Sequence, residues 1–305
     1  VYADSHDHKG DRPMPQALSE AQIADFWRDG YLVAANAVTP AQLAALNADL
    51  AGWIEDSRAH TAPFGSPTVD GRPRFDMGAE HRADHPALRR VNNPAEVSDA
   101  YHDVMRAAPM VDMVADLIGP NVKYHHCKLN IKLPGAATRV HYHQDFMYTP
   151  HSNDDVVTAL LMLEDVDDAN GCLMVAPGSH RGPLDSLFQD GKFTGMVAAE
   201  RASELRAAQV PATGKAGSVC LMHTRLQHGS EPNNSARARP LYICVYSAGD
   251  AIPLARNPMP SRFEGTIVRG EDPGTARMMP LEVELPQQPK SASFFTVQGQ
   301  ASAEG

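Results

Sequence analysis

The hydrophobic pattern of this 305-residue chain changes its period near Pro120, and this change constrains the fold more than any other feature. Before it, capping boxes that begin at Ser19 and Thr39 open stretches with apolar residues at helical spacing, and residues 94–106 and 109–118 continue the pattern. After it, apolar runs of strand length alternate with Asn-Gly and Pro-Gly turns. Helices followed by many short strands predict a mainly β fold with flanking helices.

The segments beyond Pro120 that have strand character are residues 122–133, 156–163, 172–176, 218–222 and 241–247. Such a set predicts a double-stranded β-helix, a jelly roll of the cupin type, with an N-terminal helical layer packed on it. Alternation in the first of these strands places one group of side chains on the same face. The group is Tyr124, His126, Lys128, Asn130 and Lys132.

We expect one domain over residues 1–305. Its expected parts are a flexible tail over 1–18, a helical layer over 19–120 that includes a short strand at 31–34, a β core over 121–249, and a C-terminal segment over 250–305 with a strand at 281–285. The segment 184–211 interrupts the core strands, contains a predicted helix at 198–208, and is a candidate lid.

The stretch from residue 61 to residue 86 lacks a period and is rich in Gly, Pro and Arg, so we expect a long loop. The arginines in and after this stretch are expected to be solvated surface groups, and binding of an anionic substrate group is the alternative for them and for Arg225. The arginines in and after the stretch are Arg72, Arg74, Arg82, Arg89 and Arg90.

Composition and charge exclude several classes of protein. The formal net charge of −10, with no basic run, argues against a nucleic-acid partner. No 18 apolar residues run together, so no membrane-spanning helix is expected, and the polar residues 1–15 show no signal peptide. The four cysteines lack the spacing of a zinc knuckle or disulfide framework, so the cytoplasm is the expected location. The oligomeric state is not predicted.

A candidate metal site consists of His143, Asp145 and His228. Residues two apart on an extended strand point to the same face, so His143 and Asp145 can bind one ion together. A histidine from a neighbouring strand completes a facial triad, which leaves coordination positions open for the co-substrates of an Fe(II) oxygenase. His223 competes for the third place, but only His228 is followed by a Gly-Ser turn and by an arginine eleven residues later.

That arginine, Arg239, is the candidate anchor for 2-oxoglutarate. A strand, a turn and a return strand place it deeper in the barrel than His228, where a guanidinium can bind the far carboxylate of the co-substrate. Ser230 can donate its hydroxyl to the same carboxylate. Two alternatives stay open: a non-catalytic metal- or ligand-binding cupin-like protein, which a buried arginine disfavours, and a cupin dioxygenase that does not use 2-oxoglutarate.

Four segments resemble the phytanoyl-CoA dioxygenase family, which includes ectoine hydroxylases. They are His-Gln-Asp at 143–145, Asn-Gly-Cys-Leu-Met-Val-Ala-Pro-Gly-Ser-His at 170–180, His-Gly-Ser at 228–230, and Arg239. The resemblance implies a dioxygenase that uses Fe(II), 2-oxoglutarate and O2 to hydroxylate an aliphatic C–H bond of a small molecule and releases succinate and CO2. It implies His143, Asp145 and His228 as iron ligands, and Arg239 with Ser230 as co-substrate ligands.

The resemblance further implies that Lys128, Asn130 and Thr158 contact 2-oxoglutarate. Residues next to the triad in the sequence are candidates for a substrate pocket. These are His141, Phe146, Tyr148 and Arg225. Desaturation and epimerisation use the same triad and stay open as outcomes, and the sequence does not name the substrate.

Overall fold

The structure, a computed structural model, describes residues 17–135 and 139–287. Residues 1–16 of the expected tail and residues 288–305 of the expected C-terminal segment lie outside the described residues. The predicted mainly β fold with flanking helices is confirmed, because helices cover one face of a large sheet and a smaller sheet faces it from the other side.

The described residues contain five α-helices. They are α1 (Glu20–Asp29), α2 (Pro40–Ser57), α3 (Asp99–Ala107), α4 (Pro109–Ile118) and α5 (Ala199–Ala208). Both predicted capping boxes form, with Ser19 and Gln22 at α1 and Thr39 and Gln42 at α2. The helix expected over 94–106 is divided, because Ser98 caps α3 and leaves a separate 3-10 turn before it.

Fourteen strands occur in the described residues. They are β1 (Tyr31–Ala34), β2 (Phe75–Met77), β3 (Leu88–Asn92), β4 (Val122–Lys132), β5 (Val140–His143), β6 (Val156–Met162), β7 (Leu173–Val175), β8 (Phe188–Gln189), β9 (Lys192–Phe193), β10 (Val210–Ala212), β11 (Val219–His223), β12 (His228–Ser230), β13 (Arg239–Ala248) and β14 (Ile267–Arg269). The five predicted core strands are thereby confirmed as β4, β6, β7, β11 and β13.

The strands form two facing sheets and one small hairpin. The major sheet has the order β1-β11-β6-β13-β4-β3-β2, with β14 also paired to β4, and the minor sheet has the order β10-β7-β12-β5. Alternate residues of the major sheet pack against the helices, as Leu129 and Tyr242 do. Their neighbours, such as Leu160 and Ile243, pack toward Val175 of the minor sheet. The space between the two sheets is therefore the interior of the barrel.

Three expectations about local structure are wrong. The loop expected over 61–86 contains β2, which pairs with β3 at the edge of the major sheet. No strand forms at 281–285, and the C-terminal segment instead contributes β14. A register shift opposite His125 turns Tyr124 toward the helices, away from the face shared by His126 and Lys128, because the extra residue of a bulge reverses the alternation.

The expectation of solvated arginines is also wrong for two of the five. Arg74 is buried in an ion pair with Glu96, at 2.8 Å between Nη2 and Oε2. Arg90 is buried on β3, where it donates from Nε to Asn130 Oδ1 at 2.9 Å. Within the part of the chain described here, no helix has both the length and the apolar character needed to span a bilayer.

Candidate metal centre

The side chains of His143, Asp145 and His228 meet between the two sheets. Each offers one ligand atom, and the three atoms lie within 4.8 Å of one another. Asp145 Oδ1 is 3.5 Å from His143 Nε2 and 3.7 Å from His228 Nε2. Two imidazole nitrogens and one carboxylate oxygen form the donor set of a facial triad, so these residues fit Fe(II) with coordination positions left for other ligands.

Backbone carbonyls orient both imidazoles. His143 Nδ1 lies 2.8 Å from the carbonyl oxygen of His141, and His228 Nδ1 lies 3.0 Å from that of Leu226. A carbonyl oxygen only accepts, so each Nδ1 carries the proton and each Nε2 presents a lone pair to the centre of the site. Both rings are therefore fixed in the tautomer that binds a metal through Nε2.

Strand pairing brings the distal histidine to the triplet. His228 on β12 is directly opposite His143 on β5, and the register then shifts before Ser230. A Cβ atom at Gly229 would lie 2.7 Å from the carbonyl oxygen of Val140, closer than two such atoms can approach. The glycine after His228 is needed because β5 and β12 approach closely at this point.

The electrostatics of the site favour an ionised Asp145 carboxylate beside a neutral His228 imidazole. Burial by itself raises the pKa of Asp145, but His228, His143 and Lys128 outweigh that effect and hold it well below the usual range. Burial and the neighbouring His143 lower the pKa of His228 to about 4. A metal ion thus meets a carboxylate and an unprotonated imidazole without displacing protons.

Residues that join distant segments support the triad. Gln144, wholly buried between the two ligands of the triplet, donates from Nε2 to the carbonyl of Arg225 at 2.7 Å and accepts from the Asp185 amide at 2.9 Å. Thr158 donates from Oγ1 to Asp145 Oδ2 at 2.7 Å. This bond orients the carboxylate of Asp145, and the predicted contact of Thr158 with the co-substrate stays a prediction.

Arg239 lies buried at the start of β13, opposite Lys132 of β4. No described group accepts a hydrogen bond from its Nε atom, which is enclosed by protein. Burial lowers the pKa of Arg239 to about 10, so the guanidinium is still charged at neutral pH. An enclosed cation with an unsatisfied donor fits the carboxylate of a bound dicarboxylate such as 2-oxoglutarate.

Two further polar residues, Lys132 and Ser230, are connected to the position of Arg239. Lys132 Nζ donates to Ser230 Oγ at 2.7 Å, which leaves the serine hydroxyl proton to be donated elsewhere. Burial and the nearby Arg239 lower the pKa of Lys132 to about 7. Lys132 had no predicted role, although its alternation with Lys128 and Asn130 predicts that all three share one face of β4.

Lys128 and Asn130 also face the barrel interior, and they lie between His126 and Lys132 along β4. Lys128 is paired with Ile243, a residue of the interior apolar cluster. Its ammonium forms no hydrogen bond or ion pair with any described residue. The predicted roles of both residues in binding 2-oxoglutarate stay predictions.

The four residues expected in the substrate pocket have different surroundings. Tyr148 lies against the metal site, with its ring 5.6 Å from the His143 ring and its hydroxyl donated to the carbonyl of Gly195 at 2.7 Å. His141 is partly exposed beside His143. Phe146 is wholly buried. The pocket roles of these three residues stay predictions.

Arg225 is engaged inside the protein. Its Nη1 atom donates to Asp154 Oδ2 at 2.7 Å and its Nη2 atom to the carbonyl of Gly182 at 2.8 Å, and the side chain is almost wholly buried. Since Asp154 already balances its charge, the expectation that Arg225 binds an anionic substrate is corrected to a structural role. His223, the alternative third ligand, packs instead against Trp27 with ring centroids 5.8 Å apart.

Comparison with known proteins extends these observations. Residues 26–241 match the family model described as phytanoyl-CoA dioxygenase (PhyH). A probable alpha-ketoglutarate-dependent hypophosphite dioxygenase of Stutzerimonas stutzeri is 34% identical over 206 residues, which cover 65% of this chain and 71% of that protein. An ectoine dioxygenase of Streptomyces anulatus is 24% identical, with 88% of this chain and 89% of that protein covered.

Solved structures show the same fold. The crystal structure of EctD from S. alaskensis with bound Fe superposes with a TM-score of 0.64 at 23% identity, covering 89% of this chain and 90% of that one. The fold, the triad and these relatives define a 2-oxoglutarate-dependent non-haem iron dioxygenase that uses O2. The chain belongs to the phytanoyl-CoA dioxygenase (PhyH) family.

Proposed function

We propose that this enzyme hydroxylates a small molecule with His143, Asp145 and His228 as its iron ligands and with the far carboxylate of 2-oxoglutarate bound by Arg239 and Ser230. The convergence of the three ligand atoms supports the first assignment. The enclosed Arg239 Nε atom without a partner supports the second, because burying an unsatisfied cationic donor is costly unless an anion occupies the site.

Bound iron supplies the oxidation, in which one atom of O2 enters the substrate as a hydroxyl, the other enters succinate, and CO2 is released. The residues of the chain provide binding, orientation and exclusion of water. Thr158 orients Asp145 through its second oxygen, and the backbone carbonyls hold the two imidazoles. Lys132, through Ser230, adds positive charge at the far end of the co-substrate site.

The insertion 184–211 covers the site. Phe193 of the β8–β9 hairpin packs edge to face on Tyr148 at 5.7 Å, and Tyr148 in turn contacts the His143 ring. Exclusion of bulk water strengthens the electrostatic interactions in the site and limits side reactions. We propose that this hairpin forms the wall of the substrate pocket opposite the major sheet.

The relatives act on small molecules, a hypophosphite dioxygenase and an ectoine dioxygenase among them, and we propose a substrate of similar size. We further propose a single catalytic domain with no nucleic-acid partner, supported by the net charge of −10. The four cysteines are all free and buried, which supports a cytoplasmic location.

The experiment is slow turnover of 2-oxoglutarate to succinate by the purified protein with Fe(II), ascorbate and O2, together with Fe(II) binding measured without oxygen. We expect Asp145→Ala to lose both, with turnover reduced by at least about 100-fold, since removing even a residue that supports a ligand costs about 10- to 100-fold. The control is Asp56→Ala, on the exposed face of α2. Equal turnover and iron binding by the two variants would contradict the proposal.

A further inference from the structure

The C-terminal segment lies extended on the protein over residues 277–283, a range that we call the strap. Its burial alternates, since Arg277, Met279, Leu281 and Val283 are half-buried and the residues between them are exposed. Residues two apart on an extended chain point to the same side, so this side of the strap faces the protein. No strand of the described residues pairs with the strap, which is therefore held by a few contacts of its own.

Arg277 anchors one end of the strap. Its Nε atom donates to Asp250 Oδ2 at 3.0 Å, and its Nη2 atom donates to the carboxylate of Asp155. Nη2 also lies 3.3 Å from Asn153 Oδ1, and the Asn153 amide donates back to the Arg277 carbonyl at 3.2 Å. The side chains of Asp155 and Asp250 are only 12% and 27% exposed. Loss of the guanidinium would leave two mostly buried carboxylates without the cation between them, so this contact contributes more than an exposed ion pair.

The anchor lies on the loop that joins the iron ligand Asp145 to β6. Asp155 directly precedes β6, and Thr158 of that strand donates the hydrogen bond to Asp145. Farther along the strap, the amide of Met279 donates to the carbonyl of Ser152 at 2.8 Å, in the same loop. The first half of the strap is therefore bound to the segment that carries one of the three metal ligands.

Val283 at the other end of the strap contacts the insertion. It packs against an apolar cluster, most of whose buried residues belong to the insertion 184–211. Tyr148 and Phe193 pack against the same cluster, and they are the pair that lies next to the metal site. The strap therefore connects the loop after the iron ligand with the insertion that covers the site.

We propose that Arg277 and Val283 are positioning residues, which hold the insertion closed over the metal site and keep Tyr148 and Phe193 in place as walls of the substrate pocket. This inference rests on the proposed function, in which the insertion covers the site. The strap acts as a gate, because the insertion moves outward only when the contacts of the strap break. Segments held by few buried contacts open more readily than the core of a protein, and such openings admit and release ligands.

The first test is hydrogen exchange of the whole protein without metal, followed by mass spectrometry of peptides from the insertion. The reporter is the peptide around Val197, whose amide donates to the Tyr142 carbonyl of β5 at 3.0 Å. We expect Val283→Ala to speed exchange there by about 3- to 10-fold, because it removes apolar contact that holds the insertion. Glu284→Ala is the matched control, since this neighbouring side chain is exposed, and it should leave the exchange unchanged.

The second test is the rate at which ferrozine removes Fe(II) from the loaded protein without oxygen, together with the Fe(II) affinity at equilibrium. A gate changes the rates of entry and release together, so we expect Arg277→Met to release iron about 10-fold faster while its affinity changes by less than about threefold. Arg277→Lys keeps the charge and should restore most of the slow release. The control is Arg262→Met, an exposed arginine of the C-terminal segment outside the strap, which should release iron at the wild-type rate.

Two results overturn the inference. One is a Val283→Ala variant whose insertion exchanges no faster than that of Glu284→Ala. The other is an Arg277→Met variant that releases iron at the wild-type rate, or that loses affinity as much as it gains release rate, which would make Arg277 a support of the metal ligands. Failure of the proposed function is a different result, since the wild-type protein would then bind no Fe(II), whereas the exchange test needs no metal.

Discussion

A hydrogen bond from Thr158 to the iron ligand Asp145 gives the two carboxylate oxygens different roles. The Thr158 hydroxyl donates to Oδ2 at 2.7 Å, whereas Oδ1 faces both imidazole Nε2 atoms. One oxygen is thus kept for the metal while the other fixes the orientation of the group. Thr158 is on β6 of the major sheet, so this bond ties the triplet to the rigid core of the barrel.

The hydrogen bond from Thr158 predicts that a substitution of this residue lowers the affinity for the metal although the metal ligands themselves are unchanged. Thr158→Val keeps the shape of the side chain but removes its hydroxyl, and we expect Fe(II) affinity to fall by about 10-fold, at the lower end of the range for residues that support a ligand. Equilibrium dialysis under anaerobic conditions measures this. Thr158→Ser should restore most of the affinity, and wild-type affinity in the valine variant would contradict the role.

Removal of the Arg239 guanidinium should affect the co-substrate. We expect Arg239→Met to raise the KM for 2-oxoglutarate by about 10- to 100-fold, because hydrogen bonds to charged groups contribute about 1.5 to 3 kcal/mol. The matched control is Arg237→Met, two residues earlier, where a half-exposed side chain pairs with Asp167. An unchanged KM in Arg239→Met would point to a dioxygenase that does not bind the co-substrate there.

Lys132 predicts a pH dependence for co-substrate binding. Its pKa is lowered to about 7 by burial and by Arg239, so its ammonium is present below that pH and is lost as the pH rises through it. A bound dicarboxylate favours the protonated form, and we therefore expect the KM for 2-oxoglutarate to rise from about pH 6 to about pH 9.

The control for this pH profile is Lys132→Met, which has no charge to lose at that position. Its KM is expected to be high at all of these pH values and to lack the rise attributed to Lys132. A variant whose KM rises with pH as steeply as that of the wild-type protein would assign the dependence to another group.

The close approach of β5 and β12 predicts a cost in stability for Gly229→Ala. A Cβ atom there would lie 2.7 Å from the Val140 carbonyl oxygen, so the strands must separate. We expect a loss of about 1 to 3 kcal/mol in the free energy of unfolding, measured by urea denaturation, with weaker Fe(II) binding because His228 moves.

Gly52→Ala is the matched control for this substitution. Gly52 lies inside α2, and no atom within 4 Å would meet its Cβ. We expect this variant to gain about 0.5 to 1 kcal/mol, the difference in helix propensity between the two residues. If Gly229→Ala behaves like Gly52→Ala, close strand contact does not explain the glycine after His228.

Local features of the chain could be predicted from the sequence because neighbouring residues determine them. The capping boxes at Ser19 and Thr39 and the positions of the core strands depend on period and on short-range hydrogen bonds. The spacing of His143 and Asp145 likewise places both on one side of an extended segment, and the structure brings them to His228 as expected.

Contacts between distant segments needed the tertiary structure. Lys132 bonds Ser230 across 98 residues, and Arg225 pairs with Asp154 across 71, so neither contact has a signal in local sequence. The bulge at His125 moved Tyr124 to the other face of β4, which no alternation rule predicts.

The sequence by itself thus determined the class of fold and the candidate ligands, because these follow from residue types and periods along the chain. Only the tertiary structure decided which charges are satisfied inside the barrel. It pairs Arg225 internally and leaves Arg239 Nε without a described partner. The physical reason is that the energy of a buried charge depends on the groups that strand pairing brings around it.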